Sequence, residues 1–427
     1  MRDILITLIV FGSLPFILKR PYVGILMWAW ISYMNPHRLT YGFAYTMPFA
    51  QIIAIFIVLA FVFNKDKQKI PMDSTVIIWA LFLFWMSITT AFAIYPEYAL
   101  VSYIKIMKIQ LLTFLTIIFL TTYKKIEYLI WVIVLSIGYY SIKGGIFTIT
   151  TGGGFRVWGP PGTFIFENNS LALATLMVVP LIYYLYSIET KKWLKYGLGG
   201  AVFLSIVSAL GSQSRGAFLA AIAVIGFFWL KTKGKMISGI AIILVAGIGW
   251  QIMPATWHDR MSSIGNYEED RSAMGRINAW QYSINIANDK LLGGGFESWG
   301  QATYNIYSPQ ADFVAVAHSI YFNVLADHGW IGLLLFLAIL FLTWRNLSGV
   351  INQSKADSRI NLLARMLQIS FIAYLTGGAF LSLSYFDLPW HLIAITLLLK
   401  KEMTQIDALK NNGSIKINER TINEKRI

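Results

Sequence analysis

The sequence predicts an all-α polytopic membrane protein, with about 12–13 transmembrane helices and one long helical outer loop. Three observations predict it. Of the 427 residues, 56% are hydrophobic and 13% charged, with a mean hydropathy of +0.59. Apolar runs of roughly 18 residues recur from end to end, each able to cross a bilayer core of roughly 30 Å. One segment, 254–330, breaks the series with arginines, tryptophans, glycines and acids.

Spans are expected at 3–18, 21–34, 48–64, 75–94, 104–122, 126–148, 170–188, 194–210, 215–231, 236–253, 330–346, 362–384 and 386–400. The first two are short and read equally well as one re-entrant pair. Each run must be helical, because lipid offers no partner for an unpaired backbone group. Met1–Arg20 has an apolar run without a small-residue cleavage site, so it is expected to stay as a span.

The net charge of +14 is divided by side rather than spread as a nucleic-acid surface would be. Lys19 and Arg20, then Lys65, Lys67 and Lys69, then Lys124 and Lys125, mark successive loops. Lys191, Lys192 and Lys195 follow, then Lys231, Lys233 and Lys235, then Arg345, Lys355 and Arg359, then the tail from Lys400. Two spans separate each neighbouring pair of clusters, so the positive-inside rule puts all of them in the cytoplasm. Connections 35–47, 95–103, 149–169, 211–214 and 254–329 then face outward, with the turn at Asp387. The 254–329 loop is net negative, holding four Lys/Arg against eight acids.

Four regions follow: an N-terminal transmembrane region (1–145), a polar-rich core (146–346), C-terminal helices (347–400) and a tail (401–427). The tail is rich in Asn, Lys and Glu from Thr404 and is expected to be disordered. No cysteine is present, which removes disulfides and thiolate chemistry.

The core carries four polar clusters, at 151–175, 211–220, 257–300 and 317–332, and the topology puts all four on the outer side. Within them, Ser272–Asp289 reads as a helix ended by Gly293–Gly295, and Val316–His328 as a second helix ended by Gly329. Arg215 follows the turn Gly211–Ser214 at the outer end of a span. There the backbone N–H groups and the guanidinium point to one place, which suits a phosphate or diphosphate. The competing reading is an arginine snorkelling to headgroups. Arg276 lies one turn before Trp280 and reads either as a second anion ligand or as a solvated side chain. Arg260 and Arg271 have weaker claims. His318 titrates where a general base is useful, and His328 beside Asp327 is its rival. His37, His258 and His391 read as interface histidines. Lys105 and Lys108, spaced i, i+3 on one helix face, either hold a lipid phosphate or snorkel. Glu268, Glu269 and Asp270 diverge in direction, so no metal is expected, and no other cofactor. The tryptophans form an aromatic belt first and a sugar-stacking surface second.

In order along the chain, FRVWGPPGTFIFENNSLALA, SQSRGAFLA, GRINAW with LLGGGFESWG, and HSIYFNVLADHGWIGLLLF resemble four segments of the O-antigen ligase/polymerase superfamily. These are its Gly–Asn, Ser–Arg–Gly, loop and histidine segments, and the resemblance covers roughly 150–346. The opening MRDILITLIVFGSLPFILKRPYVGILMWAWISYMNPHRL resembles a narrower branch, the O-glycosylation ligases found with exosortase systems. Three positions depart from the family pattern: His318-Ser319 where His-Asn is frequent, Asn168-Asn169 where Asn-Pro-Asn is frequent, and Asp327 where Glu is frequent.

The resemblance implies a membrane glycosyltransferase in the bacterial inner membrane. Its partners would be an undecaprenyl-diphosphate-linked glycan donor, a lipid A–core or protein acceptor hydroxyl on the periplasmic face, and membrane lipids, without nucleic acid. It implies metal-independent inversion, with Arg215 and Arg276 on the diphosphate and His318 as base. Arg156, Asn168, Asn169, Arg260, Lys105, Lys108, Gly294 and Asp327 are the further substrate-binding candidates. A polymerase of the same superfamily is the near alternative, and a transporter the distant one. Against transport, the central spans hold few ionisable residues.

Overall fold

A computed structural model describes residues 1–231 and 271–411, apart from Asp66 and Ser382, with scattered positions between 232 and 270. The expected span 236–253, Arg260, Glu268–Asp270 and the tail beyond 411 lie essentially outside the described residues.

Fourteen α-helices are described. They are α1 (Arg2–Lys19), α2 (Pro21–Met34), α3 (Phe49–Phe63), α4 (Ser74–Ala91), α5 (Pro96–Phe119), α6 (Tyr123–Thr150) and α7 (Asn168–Ile188). Then come α8 (Lys192–Gly211), α9 (Arg215–Lys231), α10 (Arg271–Asp289), α11 (Gln301–Tyr307), α12 (Ile320–Gln353), α13 (Arg359–Gly377) and α14 (Asp387–Asn411). Seven described helices (α4 to α8, α12 and α13) are long and apolar enough to cross a membrane, and α3 and α9 are shorter apolar helices. The higher expected count also includes α1, which carries Arg2, Asp3 and Lys19, the 14-residue α2, and α14. The protein is thus an all-helical polytopic membrane protein.

The lysine-bearing helix ends meet on one face. Asn64 donates to the carbonyls of Leu18 and Lys19. Lys401 donates to Gln68, Lys400 pairs with Asp73, and Arg359 lies 3.6 Å from Glu127. Asn346 joins Asp73 and Thr75. One apolar core runs through α4, α6, α7, α9, α12, α13 and α14, and a second joins α1, α2 and α3 to one side of α5. A third and smaller core, Tyr282, Ile286, Tyr304, Tyr307 and Ala326, lies at the opposite end from the lysines and folds α10 and α11 onto α12.

The close approach of α6 to α8 depends on glycine: a side chain at Gly145 would run into the carbonyl of Leu204. Gly329 has φ +66 and ψ −171 inside α12, a backbone region that only glycine occupies cheaply. The kink lets Gly294 and Gly295 donate to the carbonyls of Ala326 and Asp327. A Cβ at Gly329 would also strike the Leu291 carbonyl. Gly329→Ala is therefore expected to cost at least about 2 kcal/mol, seen as a lower thermal unfolding midpoint in detergent.

Two expectations need correction. The helix expected over Val316–His328 begins only at Ile320. Residues 314–318 are non-helical, and His318 takes φ +42, which no helix start accommodates. The tail is helical through Asn411, because α14 continues past its apolar part.

Candidate functional site

The Ser-x-Ser-Arg segment forms the turn between α8 and α9. Ser214 Oγ accepts the Ala217 N–H at 3.2 Å and so caps α9, leaving Arg215 as its first residue. Ser212 Oγ accepts the Ser214 N–H, and Gln213 stands at φ +53 while its amide donates to the Gly153 carbonyl. Asn168, at the first turn of α7, donates to the Ser212 carbonyl at 2.8 Å. The asparagine and arginine segments, 44 residues apart, are therefore one unit.

The loop helix α10 supplies the other half. Trp280 Nε1 donates to the Ala317 carbonyl at 2.8 Å, and its ring stacks on Phe322 at 4.9 Å. It thereby grips the chain on both sides of His318. Arg276 lies one turn earlier on the same face. The two halves meet at Phe380, whose ring lies 6.4 Å from Trp280 and whose Cβ packs on Gly216 beside Arg215. His318 is held below the ordinary imidazole range, first by its burial and then by the nearby Arg276 guanidinium; Glu167, just before Asn168, opposes them.

Arg276, His318 and the start of α7 thus share one electrostatic neighbourhood, next to the capped turn that carries Arg215. Of the four non-glycine residues with positive φ among the described residues, two, Gln213 and His318, stand here. Such backbone costs of order 1–3 kcal/mol and concentrates at functional sites.

The remaining candidates are dispersed. Asn169 is half-buried beside Asn168, and Arg156 is exposed on the 151–167 loop. Gly294 is buried and its N–H is engaged by Ala326, so it fastens the loop. Asp327 is buried, accepting from Asn323 and Tyr385 in a separate cavity of about 230 Å³ that also holds Lys105 and Glu297. Lys105 and Lys108 belong to α5 and stand apart from the arginines. Their helix starts at Pro96 rather than near 104, so they lie well inside it and not at its outer end. The rival base His328 is fully buried, bonded to Thr89 and edge-on to Phe296. No cluster able to hold a metal occurs among the described residues. Sequence reasoning missed Glu167, Gln213 and the clamping role of Trp280. The acid directly before Asn168 was the available signal for the first.

A helical membrane bundle with a folded polar cap, which carries Arg276 and His318 beside the capped turn of Arg215, defines a polytopic membrane protein. Residues 200–337 match the family model described as O-Antigen ligase, which supports a domain of the O-antigen ligase superfamily there. Arg215, Arg276 and His318 all fall inside it. Residues 1–190 match a family of unknown function (DUF5935). No curated protein matches the chain. The domain points to ligase- or polymerase-type processing of glycans, with lipid-linked glycan and membrane lipids as partners.

Proposed function

We propose that this protein is an inner-membrane glycan ligase. It transfers a preassembled glycan from undecaprenyl diphosphate to an acceptor hydroxyl, of lipid A–core or protein, on the periplasmic face. The observation that carries the reading is the convergence of Arg276 and His318 beside the capped Ser-x-Ser-Arg turn. The donor arrives activated: its anomeric carbon bears a diphosphate leaving group. The acceptor oxygen attacks that carbon and the bond to the diphosphate oxygen breaks. The hydroxyl proton passes to the His318 imidazole, and undecaprenyl diphosphate leaves with the bonding pair. One displacement inverts the anomeric centre. Arg215, Arg276 and the N–H groups at the start of α9 balance the charge growing on the leaving group, where low dielectric strengthens each contact. Burial and Arg276 keep His318 neutral, the form a base requires.

The direct test is transfer by the purified protein from a defined undecaprenyl-diphosphate glycan to alternative acceptors. Product linked to lipid A–core or to protein supports the reading; absence of any transfer overturns it. Growth of donor-linked polymer alone would establish the polymerase instead.

The acid limb of the turnover–pH profile is expected below 6.5, since His318 is depressed from that ordinary value. In Arg276→Gln the residual activity should show the limb moved upward, because the repelling charge is gone. A wild-type limb above 6.5 would remove His318 as the base.

A further inference from the structure

The strongest feature outside the Arg215–Arg276–His318 cluster lies in the N-terminal half, around the Lys105 and Lys108 pair that the sequence offered either to a lipid phosphate or to snorkelling. Between α2, α3 and α5 runs a groove of about 580 Å³. Its walls include Ala54, Ile55, Val58 and Leu59 of α3 and Leu111 and Leu112 of α5. Ile55, Val58, Leu59 and Leu111 are exposed, so the groove opens sideways, where a bilayer would lie. One end is polar and basic, with Arg38, Lys105 and Lys108 among its lining residues. Arg38 also lines a second cavity of about 690 Å³ with Arg2, Lys143, Tyr41, Tyr45 and Tyr139. No carboxylate lines either cavity. Asp387 stands behind Ser32 and accepts its hydroxyl, Asp3 beside Arg2 accepts the Ala44 N–H, and Lys105 also borders the separate cavity that holds Glu297 and Asp327.

The two lysines are the informative part. At 1.5 Å per residue they lie about 14 and 18 Å along α5 from Pro96, inside an apolar span. Neither is ion-paired among the described residues. Charges at that depth are costly unless they meet a partner, and they mark ligand sites in spans. Helical side chains lean toward the N-terminus, which directs both toward the end of the groove near the 151–167 loop. Lys105 Nζ indeed sits 4.0 Å over the ring of Phe164 in that loop. An apolar slot open to the bilayer and headed by three cations has the shape and charge of an anionic lipid.

We propose that this face binds a membrane lipid with a phosphate headgroup. Its chain lies along α3 and α5, its phosphate sits among Arg38, Lys105 and Lys108, and any polar extension reaches the tyrosine-lined cavity. The site is separate in residues from the Arg215–Arg276–His318 cluster and stands independently of the transfer reading.

The test is photolabelling of the full chain in phosphatidylcholine nanodiscs with trace photoactivatable phosphatidic acid, against the matching diacylglycerol probe, which lacks the phosphate. Phosphatidic acid is expected to label α3 or α5 peptides at least about tenfold more strongly. R38Q/K105Q/K108Q should remove that excess. Ile55→Trp, which fills the slot and keeps every charge, should reduce it too and covers the case in which the triple variant misfolds. Arg215→Gln should label normally. Equal labelling by the two probes, undiminished labelling in both groove variants, or loss of labelling in Arg215→Gln each overturns the proposal.

Discussion

Arg215→Ala and Arg276→Ala are each expected to lower glycan transfer by roughly 10²–10³-fold, the cost of removing one preorganised donor from a charge-stabilising site. Truncating Arg215 leaves the Ser214 cap of α9 in place, so the loss should fall on turnover more than on folding. Arg276 has a second effect, because its charge also depresses His318. Arg276→Lys should recover only part of the loss, since an ammonium keeps the charge but not the bidentate fork. The check is turnover with a purified undecaprenyl-diphosphate glycan, alongside the thermal unfolding midpoint. Near-normal turnover in either alanine variant would end the diphosphate role of that residue.

His318→Asn is expected to abolish transfer while leaving the fold intact. Asparagine is among the few residues that accept positive φ readily, so it suits the φ of +42 here, but it cannot take a proton near neutral pH. General-base loss is worth roughly 10²–10⁴-fold. His318→Ala carries an added backbone penalty and should be less stable than His318→Asn. His328→Asn addresses the rival. It should lower stability first, because it breaks the buried bond to Thr89. Full transfer by His318→Asn, together with an inactive but folded His328→Asn, would move the base to His328.

Much of the fold was legible along the chain, because membrane helices declare themselves locally. The expected span at 21–34 coincides with α2, and those at 170–188 and 194–210 agree with α7 and α8 to within two residues. The start of α5 was missed by eight residues, since Glu97, Tyr98 and Ser102 dilute an apolar signal that the helix ignores. The start of α12 was missed for another reason. Val316 and Ala317 continue a helical pattern, but Trp280, 37 residues upstream, takes the Ala317 carbonyl and holds the chain non-helical. The long helix of the 254–329 loop was visible in its apolar repeat, whereas its docking through Tyr282 and Tyr304 was not.

The candidate site divides in the same way. Arg215 was readable because its capping serines precede it directly. Arg276 and His318 were readable as residue types but not as neighbours. Asp327 and Gly294 looked like further site residues, yet one lies in a separate cavity and the other fastens the loop.

By itself the sequence determined that this protein lies in a membrane, that its lysine-rich helix ends share one face, and which arginines and histidine were available. Hydropathy and charge act through lipid and solvent, which every segment meets alone. Only the tertiary structure decided which of those residues come together, that His318 is half-buried within the field of Arg276, and that two lysines stand inside a span at the head of an open groove. Those outcomes depend on contacts between helices far apart in the chain, and such contacts leave no local trace.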